Sequence, residues 1–133
     1  MSIAVAYVVQ QYEEEHNGAV RDLLLSTGWQ ENAIPSQDVL NEAAETGCAF
    51  VAVTEHKVVG FIRVLSDGDV CSYITELAVA PDARFRGIGR ALVDAVAQEF
   101  PKARIDLLST SLAQSFYEEI GFQAKSGYRR WPQ

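Results

Sequence analysis

From Ile3 to Val9 the chain is almost continuously apolar and β-rich, which predicts an opening strand. The period then changes. Val20, Leu23, Leu24 and Thr27 recur at helical spacing within Asn17 to Thr27, and Gly28 ends the pattern. GWQENAIPSQ has no period and reads as a loop. Ser36 suits the N-cap of a second helix with Val39, Leu40 and Ala43 on its inner face, stopped by Gly47. CAFVAVTE and VVGFIRVLS, joined at His56 and Lys57, predict a hairpin, and SDGD turns the chain again. Val70 to Val79 is a long strand candidate. Beyond it Ile88, Ala91, Leu92, Ala95, Val96 and Phe100 mark one face of a helix that Pro101 closes. Ala103 to Leu108 reads as a short strand and Leu112 to Ile120 as a helix ending at Gly121. The tail FQAKSGYRRWPQ has room for one or two short strands. The order β, α, α, β, β, β, α, β, α, β describes an α/β or α+β domain: a mixed sheet carrying helices.

Composition narrows this little. At 133 residues, 48% hydrophobic and 22% charged, residues 1–133 suit one globular domain with a real core. Cys48 and Cys71 make no disulfide framework; both lie in apolar surroundings and suit a reducing compartment. MSIAVAYVVQ has no basic leader and runs into YEEEH, so it reads as a strand rather than a signal peptide. No apolar run reaches the roughly 20 residues that span a bilayer, and the default location is the cytoplasm. A net charge of -7 argues against nucleic acid and anionic membrane as partners and favours a cationic one. His16 and His56 lack metal-ligand spacing with any Cys or Asp, so no metal is expected. Glu13, Glu14 and Glu15 suit attraction of an amine or a merely solvated face.

One stretch runs against the overall charge. RFRGIGR holds three arginines and two glycines, between a strand and a helix. A helix start offers unpaired N–H groups and the positive end of the dipole, and glycine lets a ligand come close to the backbone. That makes an anion cradle suited to a diphosphate. It is neither a Walker loop, which needs G-x-x-x-x-G-K-[ST], nor a Rossmann loop, since Gly87-Ile88-Gly89 lacks the third glycine. The competing reading is a solvated basic turn formed by Arg84, Arg86 and Arg90.

ITELAVAPDARFRGIGRALVDAV closely resembles the acetyl-coenzyme A motif of the Gcn5-related N-acetyltransferases, (R/Q)-x-x-G-x-(G/A), with Arg84-Phe85-Arg86-Gly87-Ile88-Gly89 as the match. SLAQSFYEEIGF resembles the family's second hallmark, on Ala113, Tyr117, Gly121 and Phe122. The two motifs cover the last half of the chain; the first half agrees in element order. The resemblance implies an acyl-CoA N-acyltransferase fold, a mixed and mostly antiparallel central sheet flanked by helices. It implies acetyl-CoA as acyl donor, its pyrophosphate on the backbone of Arg84, Phe85, Arg86, Gly87, Ile88 and Gly89, continuing to Arg90 and Ala91. Its pantetheine arm would follow Leu77, Ala78 and Val79, where a bulge would part the central strand from its neighbour. Thr110, flanked by Ser109 and Ser111, stands where the family often has a cofactor-contacting asparagine; any of the three also suits a helix cap. Ala113 belongs to the same helix.

Amine acetylation needs a neutral nucleophile, a polarised thioester carbonyl and a proton for the departing thiolate. Backbone N–H groups near Val79 suit the developing oxyanion. Glu76, a carboxylate inside an apolar strand, is a candidate base whose pKa burial would raise; the competing reading pairs it with an arginine on the solvent side. The resemblance makes Tyr117 the general acid toward the thiolate, against a packed core tyrosine. Trp29, Tyr73 and Tyr128 are candidates for the acceptor pocket; Trp29 also suits a core cap. The tail is shorter than the family's usual closing hairpin, leaving Trp131 uncovered unless a second subunit covers it, which favours a homodimer. The expected activity is acetyl transfer to a primary amine, foremost a small molecule; LLLSTGW resembles members that act on small amines. A peptide amine is the alternative acceptor, and an acyl-CoA-binding regulatory or interaction module the alternative class.

Overall fold

The computed structural model describes residues 6–132. Five strands form one sheet in sequence order: β1 (Val8–Gln11), β2 (Ala49–Thr54), β3 (Lys57–Ser66), β4 (Cys71–Val79) and β5 (Arg104–Asp106). β1 to β4 pair antiparallel, and β5 lies parallel to β4. A parallel pair needs a crossover. α3 (Ile88–Glu99) supplies it, burying Ile88, Leu92, Val93 and Val96. The mixed, mostly antiparallel sheet flanked by helices is the fold expected from the sequence.

Two glycine-free residues make the β2–β3 turn. Glu55 and His56 both hold positive φ, 47° and 68°. This is the twist a two-residue hairpin needs, usually supplied by Asn-Gly. Gly60 then decides how close a helix can come. A side chain there would place its Cβ 2.8 Å from Ile88 Cγ2 and 3.0 Å from Leu92 Cδ1. α3 therefore lies directly on β3. On the opposite face Phe61 meets the Tyr12 ring edge-on at 6.3 Å between centroids. There α1 (Asn17–Ser26) packs on β3 and β4, and α2 (Gln37–Glu45) on β2 and β3. Tyr12 is buried, and loss of solvation pushes its phenol pKa up.

Caps close these elements as their residue types dictate. Ser36 Oγ accepts the Val39 N–H at 3.2 Å. Asp67 Oδ1 accepts three N–H groups, from Asp69, Val70 and Cys71, which lowers its pKa and rigidifies the SDGD turn.

Five expectations need correction. The first strand was expected over Ile3 to Val9; β1 begins at Val8, and the first five residues lie outside the described ones. Val39 is 40% exposed: at about 100° from Leu40 and about 40° from Ala43 it stands at the rim of the stripe those two bury. β5 stops at Asp106 instead of Leu108. The helix expected from Leu112 splits into a 3₁₀ turn, Ser111–Ala113, and the short α4, Gln114–Glu119. The tail forms no strand up to Pro132. Among the described residues no helix is long and apolar enough to cross a membrane.

Replacing Gly60 with Val drives two methyls into Ile88 and Leu92 and lifts α3 from the sheet. We expect a loss of about 1–3 kcal/mol in chemical denaturation, against little change for Gly18→Ala, where a Cβ meets nothing within 4 Å.

Candidate active site

The site begins as a break in the sheet. β5 pairs with Cys71, Ser72 and Tyr73, the first residues of β4, and then leaves. Beyond Tyr73 the β5-side edge of β4 has no strand partner among the described residues. On the other side the register slips: Arg63 opposes Glu76 and Val64 opposes Ile74, so Thr75 is an extra, bulged residue. The bulge expected near Leu77 to Val79 thus sits a little earlier, and the parted edge follows it. Ala80 donates its N–H to Val59 O at 2.8 Å. The two-residue alternation of an antiparallel ladder then turns Ala78 toward β3, and Leu77 and Val79 toward the open edge.

A buried ion pair fixes the bulge. Glu76 is 5% exposed, and both its oxygens are taken by Arg63, from Nε at 2.6 Å and Nη2 at 2.8 Å. Thr75 Oγ1 donates to Arg63 O at 2.9 Å. The burial foreseen for Glu76 is present, and its partner is an arginine, as in the competing reading, although inside the fold. Sequence reasoning missed Arg63. Its signal was a lone cation in the apolar run VVGFIRVLS.

α3 starts beside this edge. Gly87 is its N-cap at φ 81°, and no side chain caps it. The first bond into the helix is Ala91 N–H to Gly87 O at 3.0 Å, which leaves the amides of Ile88, Gly89 and Arg90 without a helical acceptor. Gly89 has a packing role: a Cβ there would meet Phe116 Cζ at 2.9 Å, so α4 rests on α3 through this glycine. The arginines differ in commitment. Arg84 Nε donates to Val79 O at 3.3 Å, and Arg90 Nε lies 4.0 Å from Asp94 Oδ2. Among the described residues Arg86 has neither a carbonyl nor a carboxylate partner. Phe85, between Arg84 and Arg86, is 105% exposed at φ 65°.

The second motif is a helix stop. Gly121 takes φ 103°, Phe122 donates its N–H to Tyr117 O at 3.0 Å, and Gly121 donates to Glu118 O at 3.1 Å. This is a Schellman ending, and the Tyr117–Phe122 ring contact at 5.5 Å is its apolar partner pair. Phe116 packs on the other side of Tyr117 at 5.0 Å. Burial raises the phenol pKa of Tyr117. Its ring lines a groove of about 1070 Å³ with Val93, Ile105, Leu107, Phe122 and Gly127. That groove runs along β5 and reaches Tyr73; neither Leu77, Val79 nor the 84–91 segment lines it.

The acceptor candidates do not converge. Trp29 is half-buried against the core, its backbone N–H donating to Leu24 O at 3.1 Å. Tyr73 is half-buried on β4 opposite Asp106. Tyr128 is 94% exposed on the tail. Thr110 is exposed, and its carbonyl, not its hydroxyl, accepts from Ala113 N–H at 3.1 Å and Ser109 Oγ at 2.7 Å. Ala113 is the N-cap of α4. Cys71 is half-buried with Asp106 Oδ2 3.6 Å away; burial and that carboxylate raise its thiol pKa.

A sheet parted between its two parallel strands, with an uncapped helix start at the parting, defines an acyl-CoA N-acyltransferase fold. A model of the acetyltransferase (GNAT) domain matches residues 45–124, and the chain belongs to that family. A GNAT-family acetyltransferase from Streptococcus pneumoniae is similar at 23% identity, covering 97% of this chain and 98% of that one, with a TM-score of 0.74. An acetyltransferase of the family from Xanthomonas campestris is 25% identical over 96% of this chain and 94% of that one, with a TM-score of 0.73. The aminoglycoside N-acetyltransferase AAC(6')-Iy, solved with a CoA-containing bisubstrate analogue, is 16% identical over 96% and 98%, with a TM-score of 0.75. No curated protein matches the chain in sequence.

Two stability outcomes follow. Glu76→Leu strands a buried guanidinium and should cost about 3–5 kcal/mol in urea denaturation, while the double change with Arg63→Met recovers most of it. Phe85→Gly relieves a left-handed aromatic residue and should raise stability by about 0.5–1 kcal/mol, read by the same titration.

Proposed function

We propose that this protein transfers an acetyl group from acetyl-CoA to a primary amine, foremost a small-molecule amine. The observation that carries the reading is the unpaired edge of β4 facing an uncapped α3 start. The donor set fits the cofactor: successive amides at the positive end of a helix suit its diphosphate, and strand amides suit its amide-bearing arm. Ile88, Gly89 and Arg90 would hold the diphosphate, and Leu77 and Val79 the pantetheine arm. Bound acetyl-CoA supplies the acetyl group as a thioester.

The chain's own residues do the rest. An acceptor amine in its neutral form would take up that acetyl group, its C–N bond replacing the thioester C–S bond. The Val79 N–H would hydrogen-bond the thioester carbonyl oxygen. Tyr117 donates its proton to the departing sulfur and regains one from solvent. Its raised pKa keeps the donor protonated at neutral pH. With both Glu76 oxygens held by Arg63, the amine proton leaves through water, and Glu76 acts as the anchor of the bulge.

Two observations support a small cationic acceptor: the net charge is -7, and a structural relative is solved with an aminoglycoside-derived analogue. Two free cysteines suit a reducing, cytoplasmic setting. The exposed Tyr128 and Trp131 favour a homodimer that would cover them.

The test is release of free CoA with a panel of small amines and peptides. Tyr117→Phe should lower kcat by about 10²–10⁴ while acetyl-CoA affinity stays within about twofold. Because burial raises the donor's pKa, Tyr117 should impose no falling limb on kcat below about pH 10. Acetyl-CoA binding without amine-dependent CoA release would make the protein a binding module instead. An unchanged kcat in the phenylalanine variant would remove Tyr117 as the acid.

A further inference from the structure

Phe85 is the most exposed large hydrophobic side chain among the described residues. Its ring stands fully in solvent, both neighbours are exposed, and it contributes nothing to the core. It also occupies the left-handed region at φ 65°, where aromatic residues are strained. The fold gains neither burial nor conformational ease from an aromatic residue here.

The surroundings give the ring a use. Arg84 is spent on Val79 O and Arg90 on Asp94, whereas Arg86 is uncommitted among the described residues. Phe85 and Arg86 are consecutive and both exposed, directly before the uncapped amides of α3. Aromatic faces stack on nucleobases, and guanidinium groups bind phosphates in two-point geometry. That combination suits a purine nucleotide carrying a phosphate away from its diphosphate.

We infer that Phe85 carries the adenine and Arg86 the ribose 3′-phosphate at the outer end of acetyl-CoA. This rests on the cofactor reading above, and it assigns the nucleotide end to two side chains rather than to the loop backbone.

The experiment is calorimetric titration of the full chain with acetyl-CoA, its 3′-dephospho form, and acetyl-4′-phosphopantetheine, which lacks the nucleoside. Phe85→Ala should weaken acetyl-CoA binding about tenfold and leave acetyl-4′-phosphopantetheine unchanged, while Phe85→Trp retains the wild-type affinity. Arg86→Ala should erase the wild-type preference for acetyl-CoA over the 3′-dephospho form, with Arg86→Lys restoring part of it. Both residues are exposed, so the variants are expected to fold; circular dichroism of each confirms it. Unchanged acetyl-CoA affinity in Phe85→Ala, or equal loss for the ligand without a nucleoside, overturns the inference and leaves the proposed function standing. A change in sedimentation mass without a change in affinity also overturns it, by making the ring a contact between copies. A wild type that binds none of the three ligands overturns the proposed function and this inference with it.

Discussion

Peptide groups at a sheet edge need partners, and the structure is organised around a place where β4 is denied them. β5 accompanies β4 for three residues and departs, so the second half of β4 offers its main chain to whatever enters. A long exposed edge is a hazard that proteins usually twist away or cover. Here the Arg63–Glu76 pair and the Thr75 hydroxyl hold the strand in its bulged shape from the β3 side. An ion pair this buried is poor evidence for stability and better evidence for a fixed geometry.

The helix start reinforces the same opening. Gly60 lets α3 sit directly on β3, which brings the α3 N-terminus to the end of β4. Were β3 to carry a side chain there, the helix would ride higher and its free amides would lie farther from the strand. The two glycines of the signature divide their work: Gly87 takes the left-handed turn that starts the helix, and Gly89 admits the Phe116 ring. Only the first is a conformational requirement; the second is a packing one.

Much of this was legible in the residues, for physical reasons. The α1 and α3 stripes, the Ser36 cap and the strand run ending at Val79 follow from periodicity and capping chemistry that act locally. The two motifs marked the acetyltransferase half because each encodes a local backbone event, a helix start and a helix stop. What was hidden depends on partners distant in sequence. The Glu55–His56 turn carries no glycine to announce it, the Thr75 bulge exists only in register with β3, and the Arg63–Glu76 pair joins different strands. Val39 was misplaced because an apolar side chain next to a stripe is indistinguishable from one on it until the helix is docked. The tail resembled strands through its aromatic residues alone, and that preference is weak where no ladder recruits the backbone.

Tyr117 shows why a motif residue can serve two ends at once. Its carbonyl and ring complete the Schellman stop with Phe122, so its backbone and ring are held by the helix ending itself. Phe116, one residue earlier and about 100° around α4, is seated on Gly89 and ties α4 to the start of α3. The same six-residue helix thus fixes the tyrosine relative to the start of α3 through one ring and lines the groove with the next. Desolvation among the flanking aromatic rings raises its phenol pKa. The structural role and the chemical one proposed for it are then not rivals: the packing that a core tyrosine would need also holds this one at the groove.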